Sequence, residues 1–259
     1  MIGTFVLGYY FYFHHFHRTH LNITETTIVS ADIPPLFDGE RIVQISDLFV
    51  RSESCLDLLE HVIHTVNSLE PDIIIFTGNL FLPEGIQFEQ RVTELLDHLN
   101  ARLIKFAVLG YHDLLHYELT HEVLSGAGFR LLNNDSFEVS NQSPIRINVI
   151  GAHPLNNYES MTELLEVHAR EDRFNLLLSS VPTFSTVAFN YPIHAQFSGH
   201  CLGTQDASDM TAPCFQFYRG TYQFADEFTL HVSTGLARFH SPYGLFNPPT
   251  IDAFLLMRP

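Results

Sequence analysis

Basic residues are scarce in this 259-residue chain: 13 Lys and Arg stand against 29 Asp and Glu, a formal net charge of −16. A surface this acidic repels phosphate backbones, so nucleic acid is not an expected partner. The same field opposes small anions unless a metal ion or a local basic patch compensates, and 13 cations leave little material for a patch. Cysteine is sparse too. Cys55, Cys201 and Cys214 show no C-x-x-C spacing and are odd in number. Neither a zinc ribbon nor a disulfide framework is expected, and all three read as small buried thiols.

The N-terminal run Ile2 to Phe13 (IGTFVLGYYFYF) is apolar and aromatic, and His14-His15-Phe16-His17-Arg18 follows it. It is shorter than a spanning helix requires. It also lacks the basic start and small-residue cleavage site of a secretory signal. Tyr and Phe beside His and Arg suit a membrane interface. Residues 1–24 therefore read as a leader, with membrane association through residues 2–17. Residues 25–259 read as one domain, since no linker, repeat or low-complexity tract divides them.

Strand and helix signals alternate along that domain. Thr26 to Ile33 reads as a strand ended by Pro34-Pro35, and Arg41 to Ser46 as a short buried strand. Leu58, Leu59, Val62, Ile63, Val66 and Leu69 recur at helical spacing, and Pro71 stops that helix. Ile73 to Phe76 is a continuous apolar strand of the kind covered on both faces. A second helix carries Val92, Leu95, Leu96 and Leu99, and Ile104 to Leu109 is a third buried strand. This order predicts a parallel sheet with right-handed crossovers. Ile145 to Ile150, Asn175 to Leu178, Gln196-Phe197 and Phe228 to Val232 read as further strands, and Met161 to His168 as a helix. His61, His64 and His98 fall at solvated helix positions.

Ligands of open α/β sheets bind beyond the carboxyl ends of the strands, where the polar motifs of this chain fall. They are Ser46-Asp47-Leu48-Phe49, Thr77-Gly78-Asn79-Leu80, Gly110-Tyr111-His112-Asp113, Ser179-Ser180-Val181-Pro182 and Ser198-Gly199-His200-Cys201-Leu202-Gly203. The series, with the phrases PDIIIFTGNL, KFAVLGYHD, SGHCLGTQ and FNPPTIDAFLL, resembles the calcineurin-like metallophosphoesterases, in particular a bacterial membrane-anchored branch. The resemblance runs from about residue 25 to the C-terminus. It implies a four-layer α/β/β/α sandwich, with two mixed β-sheets flanked by helices. It also implies a phosphoric ester hydrolase with two divalent metals (Mn, Fe or Zn) that activate a bridging hydroxide.

Members of that family carry Asp-x-His, Gly-Asp, Gly-Asn-His-Asp, a later His and Gly-His-x-His. Here Asp47 and His200 match metal ligands, and His112 and Asp113 match the catalytic His and its supporting acid. Phe49 stands in place of a His, Asn79 of the bridging Asp, Tyr111 of an Asn, Ser180 of a His and Leu202 of a His. Phe and Leu offer no lone pair, and neutral Asn79 cannot bridge two dications as a carboxylate does. The reading is therefore a vestigial site with no tightly bound cofactor. The expected protein is an inactive, phosphoesterase-shaped module at the membrane that binds an unidentified protein or phosphorylated ligand. The alternative is an active hydrolase with an altered or single-metal site, which recruits ligands such as His153 or His194.

Overall fold

The computed structural model describes residues 21–142, 146–206, 212–224, 228–237 and 248–259. The leader up to residue 20, including the segment read as membrane-associated, lies outside them. Among the described residues no helix is long and apolar enough to cross a membrane.

Twelve strands form two six-stranded sheets. The first has the order β1 (Asn22–Val29), β12 (Thr250–Met257), β2 (Arg41–Ile45), β3 (Ile73–Phe76), β4 (Ile104–Ala107), β5 (Phe129–Leu131). The second has the order β10 (Gly220–Phe224), β11 (Phe228–Val232), β9 (Ala195–Ser198), β8 (Phe174–Leu178), β7 (Arg146–Gly151), β6 (Asp135–Ser140). β2 to β5 run parallel, and so do β7, β8, β9 and β11. β12 lies antiparallel to β2, and the edge strands β6 and β10 are antiparallel to their neighbours, so both sheets are mixed.

The apolar runs explain the layering. β3 is Ile-Ile-Ile-Phe and every one of its residues is buried. β-Branched side chains suit a pleated strand covered on both faces. Ile42, Ile73, Ile75, Phe106 and Val108 of the first sheet meet Val149, Leu176, Leu178 and Phe197 of the second. Helices cover the outer faces. α1 (Glu53–Ser68) turns Leu56, Leu59, Val62, Ile63 and Val66 onto the first sheet. α2 (Glu89–Asp97) and α3 (Tyr117–Gly126) pack beside it. α4 (Tyr158–His168) and the one-turn α5 (Ser185–Ala188) cover the second sheet. The result is the α/β/β/α sandwich.

Two buried polar ties align the sheets. Gln44 Nε2 donates to Thr77 Oγ1 and to the Ser198 carbonyl, each at 2.9 Å. His231 Nε2 lies 3.2 Å from Asp252 Oδ1. The first tie joins β2 to the end of β9, which brings the carboxyl ends of both sheets to one place.

The structure departs from the sequence reading in three respects. β1 starts at Asn22, inside the segment read as leader, and ends at Val29 rather than Ile33. Its partner β12 sets that register, which the strand's own residues do not encode. α3, β5, β6 and β10 carry too few apolar residues in too short a period to be read locally. Last, Cys201 and Cys214 form a disulfide with Cα atoms 5.5 Å apart, and Cys55 alone is a free thiol. The expectation of three thiols is corrected: the chain after β9 doubles back, a contact that spacing does not reveal.

Candidate functional site

The loops after β2, β3, β4, β8 and β9 meet at the carboxyl ends of the strands, as their order in the sequence predicts. Their backbone is unusual. Asp47, Phe49, Asn79, His200 and Leu202 all have positive φ, between 44° and 72°. Non-glycine residues in this region cost about 1–3 kcal/mol each when the surroundings impose it. These five are among eight such residues in the described structure, so strained backbone concentrates in these loops.

Asp47 is completely buried. Its Oδ1 accepts from Asn79 Nδ2 at 2.7 Å. Its Oδ2 accepts from Ser46 Oγ at 2.8 Å and from the His200 N–H at 2.9 Å. The Asn79 amide is oriented from both sides, because its Oδ1 accepts from the His112 N–H at 3.2 Å. Turning it over would set oxygen against carboxylate and NH2 against N–H. Asp113, also buried, accepts from the N–H groups of Asn79, Leu80 and Gly110, each at 2.7 Å. It thus ties the β3 loop to the β4 loop. Burial pushes both carboxyls up to about 6, against the opposing pull of these donors. Burial also lowers His200 below the usual histidine value.

The other positions surround this network. The Phe49 ring meets His112 edge-on at 5.1 Å, and Tyr111 meets His112 edge-on at 6.3 Å. Phe49 is buried, whereas Tyr111 is 57% exposed. Ser180 is buried beside β9, with its carbonyl bonded to the Gly199 N–H. Ser180 Oγ and His200 Nδ1 are buried with no hydrogen-bond partner. His153 and His194 are engaged elsewhere. His153 Nδ1 accepts from the Leu155 N–H. His194, at the opposite end of β9, contacts Asp32 and accepts from the Asn175 N–H.

Sequence reasoning missed three contributors. Ser46 is a direct partner of Asp47. Gly199 presses so closely that a Cβ there would stand 2.0 Å from Ser46 Oγ and 2.6 Å from Asp47 Oδ2. Gly235, at φ 73° in the loop after β11, would place a Cβ 2.8 Å from Asp47 Cβ. The signal for it was present as Ser233-Thr234-Gly235 directly after an apolar strand.

The residues do not fit a two-metal centre. The only carboxylate oxygens at ligand positions are those of Asp47, and three donors already engage them. The Asn79 oxygen faces a backbone N–H, and its NH2 faces the carboxylate. Among the described residues no group of three or more His, Cys, Asp or Glu side chains could hold a metal ion. What the arrangement provides is a rigid polar floor with an aromatic rim.

Residues 40–202 match the family described as calcineurin-like phosphoesterase. The uncharacterised metallophosphoesterase YkuE of Bacillus subtilis is 31% identical over 250 residues, 91% of this chain and 85% of that protein. The UDP-2,3-diacylglucosamine pyrophosphatase LpxG of Chlamydia trachomatis is 35% identical over 99 residues, 37% of this chain and 30% of LpxG. Of solved structures, the 5'-nucleotidase precursor of Thermus thermophilus has a TM-score of 0.51. That match covers 84% of this chain and 54% of the other at 11% identity, and it speaks for the fold alone.

Proposed function

This chain belongs to the calcineurin-like phosphoesterase family, and we propose that it is a non-hydrolytic member, a phosphoesterase-shaped module that binds a partner or ligand without turning it over. The observation that carries this reading is the engagement of Asp47 by three donors. A metal would compete with Asn79, Ser46 and His200, which occupy three of the about four carboxylate lone-pair sites. Phe49 beside His112 adds a buried ring where a ligand would stand. His112 keeps its place but has no metal-bound hydroxide to assist, and Asp113 acts as a clamp between two loops. The N-terminal aromatic run supports attachment to a membrane. The Cys201–Cys214 disulfide supports placement of the domain in an oxidising compartment, since such bonds persist there.

The second reading is an altered-site hydrolase, as the shared ancestry with LpxG over part of the chain allows. It is favoured by Ser180 Oγ and His200 Nδ1, two buried polar atoms without partners. They leave capacity for one further ligand beside Asp47.

One experiment separates the readings. Metal content of the purified protein is measured together with hydrolysis of an aryl phosphodiester in excess Mn²⁺. The proposed reading expects substoichiometric metal and no turnover. Stoichiometric metal with turnover abolished by His112→Ala would overturn it. Phe49→His alone restores nothing, because residues of a shared site do not act additively. Restoring positions 49, 79, 111, 180 and 202 together tests whether the loop backbone still supports the chemistry.

A further inference from the structure

A cavity of about 470 Å³ opens beside the polar floor. Tyr111 and His200 line one end, and Val181, Phe184, Val187 and Tyr158 supply much of its wall. That volume is typical of a small-molecule site. Among the described lining residues there is no Lys, Arg, Asp or Glu. Tyr158 at its edge is 68% exposed, and neighbouring Leu155 is 60% exposed. An apolar cleft with exposed aromatics at its mouth suits a molecule with one oily and one polar end.

We propose that this cavity takes an uncharged amphiphile: an alkyl or acyl chain lies along the Val181, Phe184 and Val187 wall, and a neutral hydroxyl head sits at the Tyr111 and His200 end. Electrostatics select against a phosphate there. The buried carboxylates Asp47 and Asp113 lie in the loops that adjoin Tyr111 and His200. No cation among the described lining residues offsets them, and the chain as a whole carries −16. A neutral hydroxyl has no such penalty. The phenol of Tyr111, which lines that end on an exposed ring, both donates and accepts and can pair with it. This inference names the ligand class for the non-hydrolytic reading and rests on that reading.

The test compares two probes with the same chain, 1-dodecylglycerol and dodecyl phosphate, titrated below micelle formation into the full-length protein at pH 7.5. Binding is followed by calorimetry. The expected result is saturable binding of dodecylglycerol and binding of dodecyl phosphate weaker by about tenfold or more. Thr186 lines the cavity and is exposed, so its substitution leaves the core intact. Thr186→Trp fills the cavity and abolishes dodecylglycerol binding. Thr186→Arg supplies the missing cation and shifts preference toward the phosphate. Equal or tighter binding of the phosphate to the natural protein overturns the proposal, as does dodecylglycerol binding unchanged in Thr186→Trp. Turnover of a phosphodiester would overturn the non-hydrolytic reading while leaving the binding result to stand on its own. Absence of both overturns the ligand class alone. Dodecylglycerol stands in for either a free lipid alcohol or the diglyceride part of a bilayer lipid. Co-purified lipid, extracted and weighed by mass spectrometry, distinguishes these sources.

Discussion

Asn79 Nδ2 donates to Asp47 Oδ1 at 2.7 Å, a buried amide-to-carboxylate hydrogen bond that joins the loops after β2 and β3. Asn79→Asp converts that bond into two opposed carboxylates in a fully buried site. The expected loss is about 2–3 kcal/mol near neutral pH, the cost of a buried group left without its partner. The loss shrinks at pH 5, where one carboxyl takes a proton and donates it to the other. Thermal melts at both pH values, with and without Mn²⁺, check this. Full recovery in Mn²⁺ would mean that one substitution suffices to rebuild a metal site.

Asp47 also makes the stability difference between natural protein and Asp47→Asn depend on pH. Its carboxyl titrates at about 6 in the fold, up from the ordinary 3.8. A raised carboxyl contributes stability that is fully present below pH 3.8 and is lost as pH rises through 6. The amide of the variant cannot titrate. The natural protein should therefore gain on the variant as pH falls from 6 to 4, by about 3 kcal/mol at most. His200 and His153, both lowered by burial, act in the opposite sense. Urea unfolding at pH 4, 5, 6 and 7.5 reads the difference, and a flat difference counts against the raised carboxyl.

Gly199→Ala forces a methyl group into Ser46 Oγ and Asp47 Oδ2, at 2.0 and 2.6 Å. The His200 N–H then moves off Asp47. A loss of about 2–4 kcal/mol is expected from overpacking and the broken contact. Gly126→Ala is the control, since its Cβ would meet only Thr93 Cγ2, at 3.1 Å. Similar unfolding curves for the two variants would contradict the close approach.

The disulfide joins residues 13 apart in sequence. Opening it, by a dithiol or by Cys201→Ser with Cys214→Ser, should cost about 3 kcal/mol by loop entropy. Because His200 and Pro213 flank the two cysteines and both line the cavity, dodecylglycerol binding should weaken with it. Mass spectrometry after alkylation without reductant should find Cys55 alone labelled. Three labels would remove the bond.

Much of the fold was legible because its signals are local. Ile73 to Phe76 announces a strand covered on both faces wherever it is placed, and Leu59, Val62, Ile63 and Val66 announce a helix face by spacing alone. The edge strands β6 and β10 were not legible. Each is half-polar, and its neighbours decide its state rather than its own residues. At the site, polar residues and turn glycines after apolar runs marked the loops, and the family resemblance singled out Asp47, Asn79, His112, Asp113 and His200 within them. It did not name Gly235, which touches Asp47 from the loop after β11, far along the chain.

The sequence by itself determined which residue types stand at each strand end, and so which donor atoms are missing. Only the tertiary structure decided what the remaining groups do. Hydrogen bonds and disulfides depend on distances of a few ångströms between residues far apart in the chain, and no pattern of spacing encodes these. The packing of the two sheets made Asp47 the acceptor of three bonds, and brought Cys201 and Cys214 together where their count argued against it.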